Sequence, residues 1–181
     1  THSPGRWIWG SPKDSGEASG AVTNTVLSAV AGLQRRADHR SAQRIDRIVV
    51  NSNAVRGRVE KWWGRSSEVV PPPVNTAYFT PDPDVEREDF LLLAGRLVPY
   101  KRPDVAIAAA EQLGLRLVVI GDGRVRRRLQ AKASGLVEFR GRVSDQELRD
   151  LYRRCRALVF PGEEDFGIIP VDAVVNAKAK A

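Results

Sequence analysis

Four acidic residues crowd into the stretch Phe160-Pro-Gly-Glu-Glu-Asp-Phe-Gly-Ile-Ile-Pro-Val-Asp172: Glu163, Glu164 and Asp165 in a row, then Asp172 eight positions after Glu164. An ionised carboxylate only accepts hydrogen bonds, and it can take two hydroxyl protons. Helix N-termini draw phosphate, so acids placed where a helix begins suit sugar hydroxyls instead. Two cations, Arg96 and Lys101, follow an apolar run earlier in the chain, and a Gly121-Asp122-Gly123 turn follows another. Arg142 and Val143 come after a third. Taken singly, these are a helix cap, solvated surface charges and a connecting loop. Taken together, every candidate polar group falls at what would be the carboxyl end of a strand. Convergence on one sheet edge is what a nucleotide site in an open parallel sheet requires.

The elements that must hold these groups can be read in order. Residues 1–20 are rich in Gly, Pro and Ser around Trp7 and Trp9, and read as loop. Val22, Val26, Val30 and Leu33 recur at helical spacing over 21–37. A short strand is expected over 45–50, then a helix capped by Ser52, with Val55, Val59 and Trp62 on one face and Gly64 at its end. A brief strand at 68–70 leads into Pro71-Pro72-Pro73, a stiff segment poor in donors. The boundary between two domains is placed there, giving 1–74 and 75–181. In the second half the apolar runs 90–94, 115–120, 137–139 and 157–160 read as strands, the first, second and last of them buried. Helices are expected over 103–113, with Pro103 first, and over a basic 125–133. Ser144 and Glu147 form a capping box for a helix through Arg154, and Pro170 suits the first turn of another. Strands alternating with helices imply a parallel sheet with right-handed crossovers.

Composition sets outer bounds. The 181 residues carry a net charge of +7, with 29 Lys and Arg against 22 Asp and Glu. That balance favours anionic partners: nucleic acid, an anionic membrane face or phosphorylated ligands. One cysteine, Cys155, cannot form an internal disulfide. No apolar run approaches a membrane span. A reduced, cytoplasmic setting is expected. The chain has no Met at all, and it is expected to begin inside a longer protein.

The segments GRLVPYKRPD (95–104), VVIGDG (118–123), FRGRVSDQEL (139–148) and LVFPGEEDFGIIPVDA (158–173) resemble the C-terminal domain of a GT-B glycosyltransferase. The resemblance is nearest to glycosyltransferase family 4, retaining enzymes that use nucleotide-sugar donors. Upstream, THSPGRWIWG (1–10) and the stretch 48–81 resemble the later part of that fold's N-terminal domain and its hinge. The implied fold is α/β, with two Rossmann-like parallel-sheet domains, both incomplete in this chain. Residues 1–74 would be the end of the acceptor-side domain, and 75–181 a truncated nucleotide-sugar domain. The nearest subgroup is mannosyltransferase-like.

The resemblance also implies roles. Arg96 and Lys101 would sit on the donor diphosphate, where charge grows as the bond to the anomeric carbon breaks. Glu164 would hold hydroxyls of the donor sugar. Asp172 would hold the ribose, although the family usually has Glu there and Asp is one methylene shorter. Phe166 and Gly167 would turn their backbone toward the sugar or phosphate, and Arg142-Val143 would lie beside the base. Gly95 belongs to the first motif, while Gly121 and Gly123 would let backbone approach the nucleotide. His2 would face the donor sugar from the other domain. No metal and no other cofactor is expected. The implied function is transfer of a hexose, best read as mannose from GDP-mannose, to a glycan or lipid-linked acceptor, with peripheral membrane contact compatible.

The rival reading is a basic nucleotide- or nucleic-acid-binding module without catalysis. Arg124, Arg126, Arg127, Arg128 and Lys132 would meet phosphates. No groove-reading motif or stacking-aromatic pattern accompanies them, so nucleic acid ranks below the nucleotide-sugar.

Overall fold

The computed structural model describes residues 4–9 and 21–176. Two compact units divide the chain, residues 1–72 and 73–181.

The first unit opens with a short helix α1 (Arg6–Trp9), where loop was expected. Its Trp9 indole N–H donates to Asp38 Oδ2 at 2.6 Å, and Trp63 donates to the same oxygen at 2.8 Å. That tertiary anchor is invisible to local patterning. Asp38 lies on α2 (Ala21–Gln43), which runs six residues beyond the expected 21–37. Strand β1 is only Val49–Val50, paired in parallel with β2 (Glu68–Val69). Between them runs α3 (Asn53–Trp63). Its N-cap Ser52 accepts from the Val55 N–H, and Gly64 closes it at φ 64°. Val55, Val59 and Trp63 are buried, while Trp62 stacks on Trp9 with ring centres 6.0 Å apart.

The second unit is a four-stranded parallel sheet in the order β5-β4-β3-β6. Its strands are β3 (Phe90–Ala94), β4 (Arg116–Ile120), β5 (Val137–Gly141) and β6 (Ala157–Leu158). The continuous apolar runs of β3 and β4 follow from burial on both faces. Leu91, Leu93, Leu117 and Val119 pack toward Ala106 and Ile107 of α4 (Pro103–Gln112) and Leu129 of α5 (Arg126–Gln130). Phe90, Leu92, Val118 and Ile120 pack on Leu151 and Tyr152 of α6 (Asp145–Arg154) and Ile169 of α7 (Ile168–Asn176). The two faces together exclude water from the sheet's centre, which is the main stabilising term.

Some elements depart from expectation. Helix α5 spans five residues rather than 125–133; its run of arginines offers no acid in the first turn, and only Arg126 reaches back to an acid, Asp122, before the helix. Strand β6 is not fully buried: Ala157 is exposed and Leu158 half-buried, because β6 is the outer strand and no described residue pairs beyond it.

Chain order matters for the site. The chain steps β3, β4, β5 in one direction, and then α6 carries it back so that β6 joins the far side of β3. Loops leaving β3 and β6 therefore diverge onto opposite faces and leave a crevice between their starts.

Candidate functional site

The crevice between the carboxyl ends of β3 and β6 is where Arg96, Lys101 and Glu164 gather. After Ala94 the backbone turns at Gly95, φ 138°, and enters a 3-10 turn, Pro99–Lys101. Lys101 closes that turn, donating its N–H to Val98 O at 3.1 Å. Arg102 follows at φ 51°, the one non-glycine positive φ among the described residues, and links the turn directly to α4. The turn is held from below by the Gly121-Asp122-Gly123 loop. Gly95 donates to Ile120 O at 3.0 Å, and Leu97 donates to Asp122 O at 2.9 Å. A Cβ on Gly121 would overlap Gly95 O, and one on Gly123 would overlap Leu97 O. The close approach that these glycines allow is that of the neighbouring loop.

The acidic loop docks on the same turn from the other side. A Cβ on Gly162 would lie 2.6 Å from Lys101 Cα and 2.9 Å from Lys101 O. This backbone-to-backbone seat delivers Glu164 to Lys101, with Nζ 2.8 Å from Oε1 and side-chain exposures of 19 % and 24 %. The contact is a close, charge-assisted ion pair, and Glu164 Oε1 is shut from solvent, so the Lys101 ammonium is the group that faces it. Lys101 Nζ also hangs over Gly95, 3.7 Å from where a Cβ would stand. Arg96 is exposed and donates from Nη2 to Tyr100 Oη at 3.0 Å. A shallow recess lined by Gly95, Arg96, Lys101, Phe160 and Pro161 adjoins the pair.

The remaining candidates are spread around this centre. Gly167, φ 82°, turns the loop into α7, with Phe166 half-buried before it. Asp172 is the fifth residue of α7, past the first turn, and only 8 % exposed. Burial pushes its carboxyl pKa up. Tyr152 of α6 feels that carboxylate: burial first, and then the Asp172 charge, raise the phenol's pKa. The Tyr152 hydroxyl and Asn176 Oδ1 are buried without a hydrogen-bond partner, while Asn176 Nδ2 donates to Asp172 O at 2.7 Å. Arg142 is exposed after β5, whereas Val143 packs onto the Phe90 face of the sheet. His2 lies outside the described residues. Among those residues no group of three or more His, Cys, Asp or Glu is placed to hold a metal ion.

Two participants escaped sequence reasoning. Tyr100 sat inside the GRLVPYKRPD motif without a spacing signal of its own, and its hydroxyl partner appears only once the 3-10 turn forms. Gly162 read as one half of a Pro-Gly turn, and nothing local shows that its missing side chain makes room for Lys101.

Comparison with known proteins gives concordant matches. A family model described as Glycosyl transferases group 1 matches residues 77–179. The O-antigen chain mannosyltransferase C of Escherichia coli is 34% identical over 88 residues, covering 45% of this chain and 24% of that protein. The D-inositol 3-phosphate glycosyltransferase of Mycobacterium tuberculosis (strain ATCC 25177 / H37Ra) is 28% identical over 181 aligned residues, covering 84% of this chain and 38% of that one. Among solved structures, AviGT4, a glycosyltransferase involved in Avilamycin A biosynthesis, superposes with TM-score 0.54 at 26% identity, covering 68% of this chain and 41% of its own. A point mutant of S. aureus TarM in complex with fondaparinux, alpha-GlcNAc-glycerol and UDP gives TM-score 0.63 at 16% identity, over 77% and 30%. The chain thus spans well under half the length of each of these proteins.

Proposed function

The chain belongs to the Glycosyl transferases group 1 family and has the GT-B type of fold, and from that premise we propose that it carries the donor site of a retaining glycosyltransferase. The reaction moves a hexose, with mannose from GDP-mannose as first choice, to a glycan or lipid-linked acceptor. Residues 75–181 would be the nucleotide-sugar half, and 1–74 the end of the acceptor-side half. One observation supports this most: Lys101 after β3 and Glu164 after β6 meet where the strand order reverses, with Nζ 2.8 Å from Oε1.

Chemistry assigns the roles. The bond from the anomeric carbon to the diphosphate oxygen breaks, and its electron pair leaves on the diphosphate. An acceptor hydroxyl oxygen bonds to the same face of that carbon and gives its proton to the departing diphosphate oxygen. Arg96 and Lys101 meet charge that is greatest in the transition state, so they raise kcat more than they tighten binding. Their charge serves where other enzymes use a metal. Glu164 takes donor-sugar hydroxyls. Asp172 is assigned the ribose; a ribose hydroxyl would give its buried carboxylate a donor. Phe166, Gly167, Arg142 and His2 keep the parts implied by the resemblance, and no covalent catalyst is assigned. A cytoplasmic place at the inner membrane face suits a lipid-linked acceptor; among the described residues no helix is long and apolar enough to cross a membrane.

Calorimetric titration of the protein with GDP-mannose, UDP-glucose, UDP-N-acetylglucosamine and a single-stranded RNA tests the reading. Saturable binding of a nucleotide-sugar is expected, together with a Lys101→Ala variant whose kcat falls by about 2–4 kcal/mol in barrier while donor affinity changes little. Binding of RNA without any nucleotide-sugar would return the chain to the rival class.

A further inference from the structure

The crevice holds two kinds of cation, and they differ in readiness. Arg96 is exposed, and the partner of its guanidinium is a neutral phenol, Tyr100. Lys101 is half-buried and already neutralised by Glu164. The acidic loop is seated on Lys101 Cα at Gly162, and Lys101 is the last residue of a 3-10 turn, so the two backbones are held close. With the backbones in place, the pair is exchanged by turning side chains. Glu164 Oε1 is meanwhile closed off from water, with the Lys101 ammonium against it. If that ammonium is drawn away, the oxygen needs another donor, and a hydroxyl would serve.

We propose that the Lys101–Glu164 ion pair discriminates between the loaded donor and the spent nucleoside diphosphate, opening for the first and staying closed against the second. This rests on the donor-site reading above. A nucleoside diphosphate alone can engage Arg96. To engage Lys101 it must strip the ammonium from Glu164, leaving a half-buried carboxylate whose shielded oxygen has neither a cation nor a donor, which is the costly outcome. A nucleotide-sugar brings both replacements in one ligand. Its diphosphate takes Lys101, and a sugar hydroxyl serves Glu164, so the exchange is balanced. Once the hexose has left, the hydroxyl leaves with it and the ion pair re-forms against the product. Glu164 is then a specificity-determining residue that weakens product binding as well as strengthening donor binding.

Glu164→Gln tests this because it frees Lys101 at constant size. Binding is measured by calorimetry with GDP-mannose and GDP, or with UDP-glucose and UDP, whichever pair the protein takes. The expected result has opposite signs. The nucleoside diphosphate should bind about tenfold tighter, and its inhibition constant fall alike, while the nucleotide-sugar binds about tenfold more weakly. Glu164→Ser should tighten the diphosphate in the same way. In a Lys101→Ala background Glu164→Gln should leave diphosphate affinity unchanged. A wild-type protein that binds both ligands, with Glu164 variants that leave the diphosphate unchanged or weaken it, overturns the discriminator and leaves the donor reading standing. Failure of the wild type to bind either ligand overturns both.

Discussion

Gly162→Ala is the sharpest probe of how the site is assembled. The added Cβ would stand 2.6 Å from Lys101 Cα, 2.9 Å from Lys101 O and 3.0 Å from Lys101 C. Carbon atoms in contact sit about 3.5–4.0 Å apart, so the acidic loop or the 3-10 turn must withdraw by about 1 Å. Both obstacles are backbone, and no side chain can rotate away to relieve them. Gly162 does not have a positive φ, so alanine meets no conformational penalty and the effect is purely one of volume. An overpacked contact of this kind costs about 1–3 kcal/mol of stability. The same withdrawal would stretch the Lys101–Glu164 contact from 2.8 Å toward 4 Å, and a misplacement of about 1 Å in a preorganised site costs on the order of a hundredfold in rate. Turnover with the best donor, read beside thermal unfolding, measures both. Gly135→Ala is the control, since nothing stands within 4 Å of its Cβ position. A Gly162→Ala protein that melts and turns over like the wild type would refute the backbone seat and, with it, the account of why the two loops meet.

Three further outcomes follow from local geometry. Arg102 holds a left-handed backbone at φ 51°, so Arg102→Gly should raise unfolding free energy by about 1 kcal/mol, less the small contribution of its exposed pair with Asp104, as read by urea denaturation. Asp38→Ala strands two indole N–H donors and should cost about 2 kcal/mol, whereas Asp38→Asn keeps an acceptor and should cost less, both followed by tryptophan emission during denaturation. Burial pushes the Cys155 thiol up to about 11 from 9. The fold therefore favours the protonated thiol, and this contribution is whole below pH 9 and lost as pH rises through 11. Stability should fall across that window, and Cys155→Ala should flatten the slope.

Where the sequence carried its own local chemistry, the elements were legible. The runs at 90–94 and 115–120 gave β3 and β4 to within a residue, since strands buried on both faces show no alternation to misread. Ser52, Ser144, Gly64 and Pro103 marked helix ends because capping needs only nearby backbone. The capping box was half realised: the Glu147 N–H donates to Ser144 Oγ, but the Glu147 carboxylate pairs with Arg140 instead. What stayed hidden depends on distant partners. Helix α1 exists beside an aspartate 29 residues away, and the order β5-β4-β3-β6 is fixed by which edge α6 returns to. Arg96, Lys101 and Glu164 were therefore nameable as a set, while Gly162, which lets the loops bearing them touch, was not.

The placement of the aromatic and sulfur side chains has a practical consequence. All four tryptophans, Trp7, Trp9, Trp62 and Trp63, precede residue 64, and the single thiol lies at 155. Trp9 and Trp63 share one carboxylate, whereas Cys155 is packed against Phe90 and Tyr152 in the other unit. The molecule thus carries two intrinsic reporters with no overlap. Its fluorescence spectrum sees the loosening of one half, and the rate at which a thiol reagent labels it sees the loosening of the other. A single unlabelled sample followed through a denaturant gradient would separate the two transitions and show whether the halves melt as one cooperative block.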